Sequence, residues 1–427
     1  MNTCLIVFED ARFGNFYPLT YLRPIYFLRP GMRNLCQKLI DSLPGCQPSL
    51  FCRPEIEDMT REQTEYPVNA FNGRHAAETY LINGALKPNP EFMAALKKAD
   101  ASAVISTPDG DIVAVKAVGQ LTDSEFENLI NGDLEGFINT VATRAERMTI
   151  DIPFYNYLWE LMHDLPVQLQ ADFDYIRASR GDGYMTPDPD KYPGASFIKP
   201  EHILIAPDAE ILPGTVLDAS HGPILIERGG RIEPHTYVIG PLYLGEHSRL
   251  VGGKIEGSSI GPVCRIGGEL EESIIQGYTN KYHAGFIGHS YVGEWVNFGA
   301  MTTNSDLKNN YKSVAVTVNG QSHDTGLLKV GSFIGDFTKT AIGTLLNTGI
   351  TIGLSCNILG NGLVAEKEIP SFTWYSSRHK MAYMIVQALE TIERTMSRRD
   401  KKPTDAMKRR LEEVCQASPI HAKKDRV

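Results

Sequence analysis

Residues 281–304 read KYHAGFIGHSYVGEWVNFGAMTTN, and the fold is decided there. Phe286, Val292, Phe298 and Asn304 stand six residues apart, with Gly288, Gly293 and Gly299 in the turns between them. One aliphatic or aromatic residue per six-residue step is the sequence pattern of a parallel β-helix, in which a short strand plus a turn makes each side of a triangular coil. Into that scaffold are set His283 and two amides, Asn297 and Asn304.

The beat extends in both directions. Upstream it is kept by Ile205, Ile211 and Leu217, and after a short insertion by Ile226, Ile232, Val238, Leu244 and Leu250. Its phase slips between Gly252 and Gly277, where Ile260 and Ile266 alone hold it. Downstream a loop interrupts over about 305–329, and the beat resumes at Ile334, Thr340, Leu346, Ile352, Ile358 and Val364. About eight coils are implied, a prism on the order of 40 Å long at the ~4.8 Å strand spacing. Pro370 is predicted to end the ladder. An amphipathic helix with Met381, Ile385, Leu389, Ile392 and Met396 on one face is predicted to cover the open edges of the last coil.

The first half has a different texture. Thr3–Phe8 is a continuous apolar run stopped by Glu9-Asp10, the pattern of a buried parallel strand. A loop, ARFGNFYPLTYLRPIYFLRPG, leads to a helix over 31–42. Strands are expected near 50–52 and 68–71, a helix over 90–99, and a hairpin of 102–105 with 112–118 around Pro108-Asp109-Gly110. Helices over 123–147 and 153–177 follow, then the polar stretch RGDGYMTPDPDKYPGAS. Alternating strands and helices predict a Rossmann-type α/β sheet with ligands at the carboxyl ends of its strands. The expected division is an α/β domain over 1–180, a linker over 181–202, the β-helix over 203–374 and a helical tail over 375–427.

Composition narrows the function classes. With 42 basic and 51 acidic residues the net charge is −9, which argues against a nucleic-acid surface. The exception is the tail, where Arg398, Arg399, Lys401, Lys402, Lys408, Arg409 and Arg410 cluster; a solvated helix face accounts for them. The seven cysteines form no CxxC pair, so neither a zinc ribbon nor a disulfide framework is expected. The start MNTCLIVFED carries no signal peptide, and no apolar run approaches the roughly 20 residues of a membrane span. The expectation is a cytoplasmic protein without a membrane or nucleic-acid partner.

KYHAGFIGHSYVGEWVNFGAMTTNSDLK and GSFIGDFTKTAIGTLLNTGITIG resemble the hexapeptide-repeat acyltransferases with a left-handed β-helix. They look most like the acetyltransferase domain of bifunctional sugar-phosphate uridylyltransferase/acetyltransferases. DARFGNFYPLTYLRPIYFLRPG is similar to the opening of a sugar-nucleotidyltransferase family found fused to such a β-helix. The resemblance implies a homotrimer, with acetyl-CoA in the groove between neighbouring β-helices. It gives His283 the role of general base, since imidazole titrates near neutral pH and can take the proton of an attacking amine or hydroxyl. It makes Asn297 a contact to the sugar substrate and Ala300 a backbone contact to acetyl-CoA. Asn304 and Lys308 fall near further substrate contacts, offset by a residue or two. The residues read directly leave a second account of Asn297 and Asn304 open, a ladder of like amides stacked in successive turns.

The departures from the family are specific. Where it carries a basic residue one coil before the histidine, this chain has Glu269, Glu271 and Glu272. They would repel a phosphate, and predict an acceptor held through its amine. In the first half the glycine-rich phosphate loop is absent; Gly14 stands alone in EDARFGNFYPLT. Arg12, Thr20 and Arg23 are the substrate-binding candidates there, with Arg29 and Arg33 as further phosphate partners. The family's Mg²⁺ aspartate is replaced by Asn72-Gly73-Arg74, a poor ligand for that ion. Either another acid, Asp10 or Asp109, serves, or the domain binds a sugar nucleotide without making one.

Three functions compete. The first is a sugar-nucleotide-pathway enzyme transferring an acetyl group to an amino sugar at the β-helix, beside a nucleotidyltransferase-like domain. The second is a non-catalytic subunit that senses a sugar nucleotide. The third, resting on His283 and His289, is a zinc hydratase, for which a third histidine in phase is missing.

Overall fold

The computed structural model describes residues 2–180, 183–360, 362–376 and 379–422. Contacts divide the chain into two compact units, 1–16, 22–28 and 33–156 in the first, and 17–21, 29–32 and 157–427 in the second.

The first unit is a six-stranded sheet of order β2-β1-β3-β5-β4-β6, built from β1 (Thr3–Phe8), β2 (Gln47–Phe51), β3 (Glu78–Asn83), β4 (Ala103–Ser106), β5 (Ile112–Val118) and β6 (Glu146–Thr149). β1 lies parallel to β2 and β3, whereas β5 is antiparallel to both β3 and β4. The α/β sheet expected is thus present and is mixed, because the short turn at Pro108-Asp109-Gly110 reverses the chain without a crossover. The central strand β3 is not the one expected. Val68 makes only an isolated bridge to Leu50, while Thr79–Ile82, an apolar run between Glu78 and Asn83, fills the position beside β1.

Helices α1 (Leu35–Ser42), α2 (Glu57–Glu62), α3 (Pro90–Lys98), α4 (Asp123–Ile130) and α5 (Leu134–Val141) flank the strands in sequence. Asn34 starts α1 four residues later than the pattern suggested, its side chain accepting from Gln37 N in a reciprocal capping box. The helix expected over 123–147 is two helices and a strand. Gly132 takes φ 73° and the Asp133 carboxylate caps Gly136 N at 2.8 Å, ending one helix and starting the next. The apolar side chains of this layer, with Ile6, Leu81, Val115 and Phe137 among them, form one core.

In the second unit, α6 (Leu158–His163) and α7 (Leu165–Arg180) replace the helix expected over 153–177. Pro166 has no N–H with which to continue α6. Both helices group with the second unit, although the sequence boundary was drawn after them. Of the expected linker, residues 181–182 lie outside the described residues. Within the rest, Ser196–Ile198 already joins the ladder, pairing in parallel with Val216–Asp218, and Met185 makes an isolated antiparallel bridge to Ile205.

The remainder is a parallel β-solenoid. Nine strands stack along one side, more than the eight coils the beat suggested. Ile205, Ile226, Leu244, Ile260, Ile275, Val292, Ile334, Ile352 and Ile369 all belong to its single interior cluster. The phase slip has a simple origin. Successive members of this column step by 18 residues from Ile226 to Leu244, then 16 to Ile260 and 15 to Ile275, because corners of those coils lose residues. The slip also corrects one inward position: Ile287, fully buried, points into the axis and Phe286 does not.

Two columns hold the corners. In one, each backbone N–H bonds the serine hydroxyl of the coil before: Ser273 to Ser258 at 3.1 Å, Ser290 to Ser273 at 3.1 Å, Ser332 to Ser290 at 2.9 Å. In the other, Tyr278, Trp295 and Phe337 adopt left-handed φ values of 54°, 61° and 62°, and Tyr278 stacks on Trp295 at 4.3 Å. That strained backbone conformation is repeated coil after coil because the stacked rings over-determine it.

The ladder does not stop at Pro370. Thr373–Ser376 adds a strand, and Lys380–Ala382 folds back on it antiparallel, covering the last edge. Met381 lies on that strand, 57% exposed, so it is not part of the helix. α8 (Ile385–Ser397) buries Ala388, Ile392 and Met396, and α9 (Asp405–Ala417) buries Leu411 and Val414. α8 is not laid over the end coil. Its Thr391, Arg394 and Thr395 share a hollow with Trp295, Asn297 and Lys339 on the flank of the solenoid. Within the expected tail, residues 377–378 and 423–427 lie outside the described residues.

Candidate active site

His283 stands on a corner that the chain builds with an inward lysine. Lys281 pairs with Ile266 of the preceding coil and takes an axial position, 2% exposed. Its ammonium donates to the carbonyls of Gly267 at 2.7 Å and Gly285 at 2.6 Å. Burial pushes Lys281 down to about 8 against the opposing pull of Glu269. Gly285 adopts φ 130°, where a Cβ would lie 2.2 Å from the Thr302 carbonyl oxygen. Thus Tyr282, His283 and Ala284 are pushed outward and exposed, with the Tyr282 ring edge-on to His283 at 5.3 Å.

The imidazole faces a cleft of about 520 Å³. Asn280, Asn297, Phe298, Gly299 and Ala300 line it, together with Ile342, Arg265 and Arg398. His283, Asn297 and Ala300 are therefore brought together. A second hollow of about 290 Å³ shares Asn280, Asn297 and Arg398 and adds Lys339 and Arg399. Lys339 donates to the Phe337 carbonyl at 3.0 Å, and burial lowers it to about 8.

Asn304 is elsewhere. It is 3% exposed, its oxygen accepts from Gly288 N at 2.9 Å, and its amide donates to Gly288 O at 2.9 Å and Ser290 Oγ at 3.1 Å. Its hydrogen-bonding capacity is spent inside the coil, at the point where the 305–329 insertion departs. Lys308 belongs to that insertion and donates to Ser313 O at 2.6 Å. The alternative of an amide ladder joining Asn297 and Asn304 is not met: Asn297 is bridged to Asn280, and Asn304 bonds Gly288 of the coil before.

None of the three glutamates is among the residues lining the cleft. Glu271 pairs with Lys329 at 3.0 Å, and Glu272 lies 3.2 Å from His289. His289, 6% exposed at its side chain, also meets Asp306 at 2.8 Å. Glu271, Glu272 and His289 converge as a metal site would, but Lys329 and Asp306 already engage them, and His283 is not among them. What stands one coil before the histidine's corner is Arg265, paired with Asn280. The glutamate-based expectation of a phosphate-repelling cleft is corrected accordingly. Sequence reading passed over Arg265 and Lys339, and it assigned Arg398 and Arg399 to a solvated helix face, whereas Arg398 lines this cleft.

The first unit carries its own cleft, about 570 Å³, beyond the carboxyl ends of β1 and β2. Glu9, Asp10, Phe13, Arg53, Glu57 and Asn69 are on its walls, the placement an α/β sheet favours for ligands. Arg12, Thr20 and Arg23 are not. The Arg12 guanidinium lies 3.2 Å from Asp10, 2.9 Å from Asp111 and over the Phe154 ring, while Thr20 and Arg23 are buried. Thr20 groups with the second unit.

Mg²⁺ coordination requires carboxylate oxygens at liberty. Glu9 is bound by Arg53 at 2.6 Å and by Ile25 N at 2.9 Å; burial pushes its carboxyl up despite that guanidinium. Asp10 accepts from Asn83 Nδ2 at 2.7 Å and meets Arg12, and Glu57 accepts from Asn69 Nδ2 at 2.8 Å and pairs with Arg61. Asp109 is on the exposed hairpin turn. This donor set does not fit the ion, and no step is derived through it.

Residues 5–181 match the family described as sugar nucleotidyl transferase. A bifunctional sugar-1-phosphate nucleotidylyltransferase/acetyltransferase of Sulfurisphaera tokodaii is 32% identical over 155 residues, 34% of this chain and 37% of that protein. The bifunctional protein GlmU of Methanocaldococcus jannaschii is 30% identical over 115 residues, 27% of this chain and 28% of it. GlmU of a Nostoc species is 24% identical over 264 residues, 56% of this chain and 53% of it. The matches thus span from about a quarter to about half the length of these relatives.

Proposed function

We propose that the chain is a sugar-nucleotide-pathway transferase whose solenoid cleft passes an acetyl group from acetyl-CoA to an amino sugar. The observation that carries this reading is one exposed imidazole, His283, in a cleft lined also by Asn280, Asn297 and the nearly side-chain-free Gly299-Ala300. Such a wall fits a narrow thioester arm, and Ile342, 76% exposed, adds an apolar surface beside it. When bound, acetyl-CoA supplies the activated acetyl group. His283 accepts the proton from the attacking amine or hydroxyl. Asn297 orients the sugar by hydrogen bonds that a neutral amide both donates and accepts. Ile342, Met301, Leu345 and Leu363 remain exposed along this flank, which supports a neighbouring copy closing the groove, as a homotrimer does.

The test is release of free CoA from acetyl-CoA in the presence of amino sugars, amino-sugar phosphates and amino-sugar nucleotides. His283→Ala is expected to lower kcat by about 10²–10⁴ while acetyl-CoA binding is unchanged. Equal turnover by the variant would remove the role assigned to the imidazole.

A second reading concerns the first unit, and the paired state of every carboxylate in its cleft favours it. There a sugar nucleotide is held rather than made. Binding of a uridine-diphosphate sugar to this cleft is expected to be the same in EDTA as in Mg²⁺, with no pyrophosphate released from nucleoside triphosphate and sugar 1-phosphate. Metal-dependent release of pyrophosphate would reject it in favour of nucleotidyl transfer.

A further inference from the structure

One side of the solenoid sends a single column of residues inward, one from each coil. In order it runs Ile211, Ile232, Leu250, Ile266, Lys281, Phe298, Thr340, Ile358 and Tyr375. Lys281 is the one charged member, and it falls in the coil that carries His283. Its side chain is buried, and among the described residues no carboxylate pairs with it. An ammonium without a counter-charge in an aliphatic interior is costly, and an apolar residue would serve the core better. A local need must account for the lysine.

That need is visible in the lengths of successive corners. Between Ile266 and Glu269 the turn consists of Gly267 and Gly268, whereas between Lys281 and Phe286, which pair with those two strand positions, it runs from Tyr282 to Gly285. The longer corner overhangs the shorter, and the overhang bears His283. Beneath it space is tight: a Cβ on Gly268 would lie 2.9 Å from the His283 carbonyl oxygen and 3.0 Å from Lys281 Nζ. The ammonium fills this gap. By donating to Gly267 O it is tied to the corner below, and by donating to Gly285 O it closes a ring around Tyr282, His283 and Ala284. From above, Met301 N holds the same loop by donating to Ala284 O at 2.7 Å. Both bonds of the ammonium are charge-assisted, roughly twice as strong as neutral ones.

We propose that Lys281 is a positioning residue for His283: from inside the solenoid its ammonium fixes the overhanging corner, and with it the place of the imidazole in the cleft. The proposal rests on reading His283 as the general base and adds that its placement depends on a buried charge. That charge is easily lost, because burial lowers Lys281 to about 8 while Glu269 opposes the shift. Of the elements packed around it, the strand below carries Arg265 and Glu269, the coil above (296–304) has no charged side chain, and the interior is apolar. Loss of the proton slackens the corner at mildly alkaline pH, where an amine acceptor and a general base both gain reactivity.

The experiment uses the full chain and the release of CoA. Lys281→Met keeps the length of the side chain and removes its donors. Thermal unfolding is expected at or above that of the parent protein, since an apolar residue replaces an unpaired buried charge. The variant is expected to lose about tenfold or more in kcat, with the KM for acetyl-CoA within about twofold of the parent's. In the His283→Ala background the same substitution is expected to change kcat by less than about twofold, because a residue acting through the imidazole has nothing left to position. An equal loss in both backgrounds, or a folded Lys281→Met with parent-like kcat, overturns the proposal. Should Lys281→Met fail to fold, the parent supplies the second measurement: kcat is expected to fall as pH rises through about 8. Burial lowers Lys339 to about 8 as well, so the fall is also expected to persist in Lys339→Met, whatever that variant's kcat. A kcat that holds or rises up to about pH 9.5, or a fall abolished by Lys339→Met, overturns the proposal. A parent protein that transfers no acetyl group to any acceptor rejects the proposed function itself, and the positioning role with it.

Discussion

Two histidines six residues apart show how completely surroundings decide what an imidazole does. His283 is exposed in the cleft, whereas His289 lies between Asp306 and Glu272. Burial alone would depress His289, but the two carboxylates outweigh it and lift it to about 9. Its folded value is above its unfolded one, so the stabilisation is fully present below about pH 6.5 and is lost as pH rises through about 9. On the order of 2–3 kcal/mol is involved. Urea midpoints are expected to fall between pH 6 and pH 9.5 in the parent protein and to fall clearly less in His289→Gln. Equal pH dependence in both would sink the assignment. Residue type and spacing identified both histidines but not their environments, since Glu272 and Asp306 are brought to His289 from neighbouring coils. The same limit hid Asn304, whose amide reads as a site residue in one dimension and proves to be a buried clamp.

At the scale of single elements, the solenoid strands were legible because the interior accepts one side chain per side and thereby imposes a period. Corners were not, since a corner that loses a residue shifts the phase without altering composition; hence the confusion of Phe286 with Ile287. A basic column was in plain view as Arg231-Ile232, Arg249-Leu250 and Arg265-Ile266, each a charged residue before an inward aliphatic, at steps of 18 and 16 residues. The corner bearing His283 depends on a backbone that only glycine enters without strain. Gly285→Ala combines φ 130° with a contact of 2.2 Å to the Thr302 carbonyl oxygen. It is expected to cost about 2 kcal/mol or more in chemical denaturation, and to lower acyl transfer further than stability alone explains. Parent-like stability and turnover would show that the corner relaxes freely. In the first unit, β3 carries the same kind of short apolar run that marked β1, Thr79–Ile82 between Glu78 and Asn83, and was overlooked in favour of 68–71.

For the whole molecule, the reading that survives is of two units with separate clefts, one lined by paired carboxylates and the other by an imidazole, two amides and guanidiniums. The proposed homotrimer is checked by light scattering coupled to gel filtration, where a mass near three times 47.3 kDa is expected. A monomeric species with full acyl-transfer activity would discard the shared groove. Ile342→Glu is expected to weaken the assembly and the activity together, since it places a charge on the apolar flank. No helix of the described residues is long and apolar enough to cross a membrane.

The strand Lys380–Ala382 has a consequence for assembly. A stack of parallel rungs is an open template, and another rung of the same polarity prolongs it as readily as the one before. Here the final rung is met by backbone running the opposite way, which offers a newcomer the wrong pattern of donors and acceptors. Growth along the axis is arrested at that end. The flank-to-flank association proposed above would then close on itself instead of lengthening into a fibre.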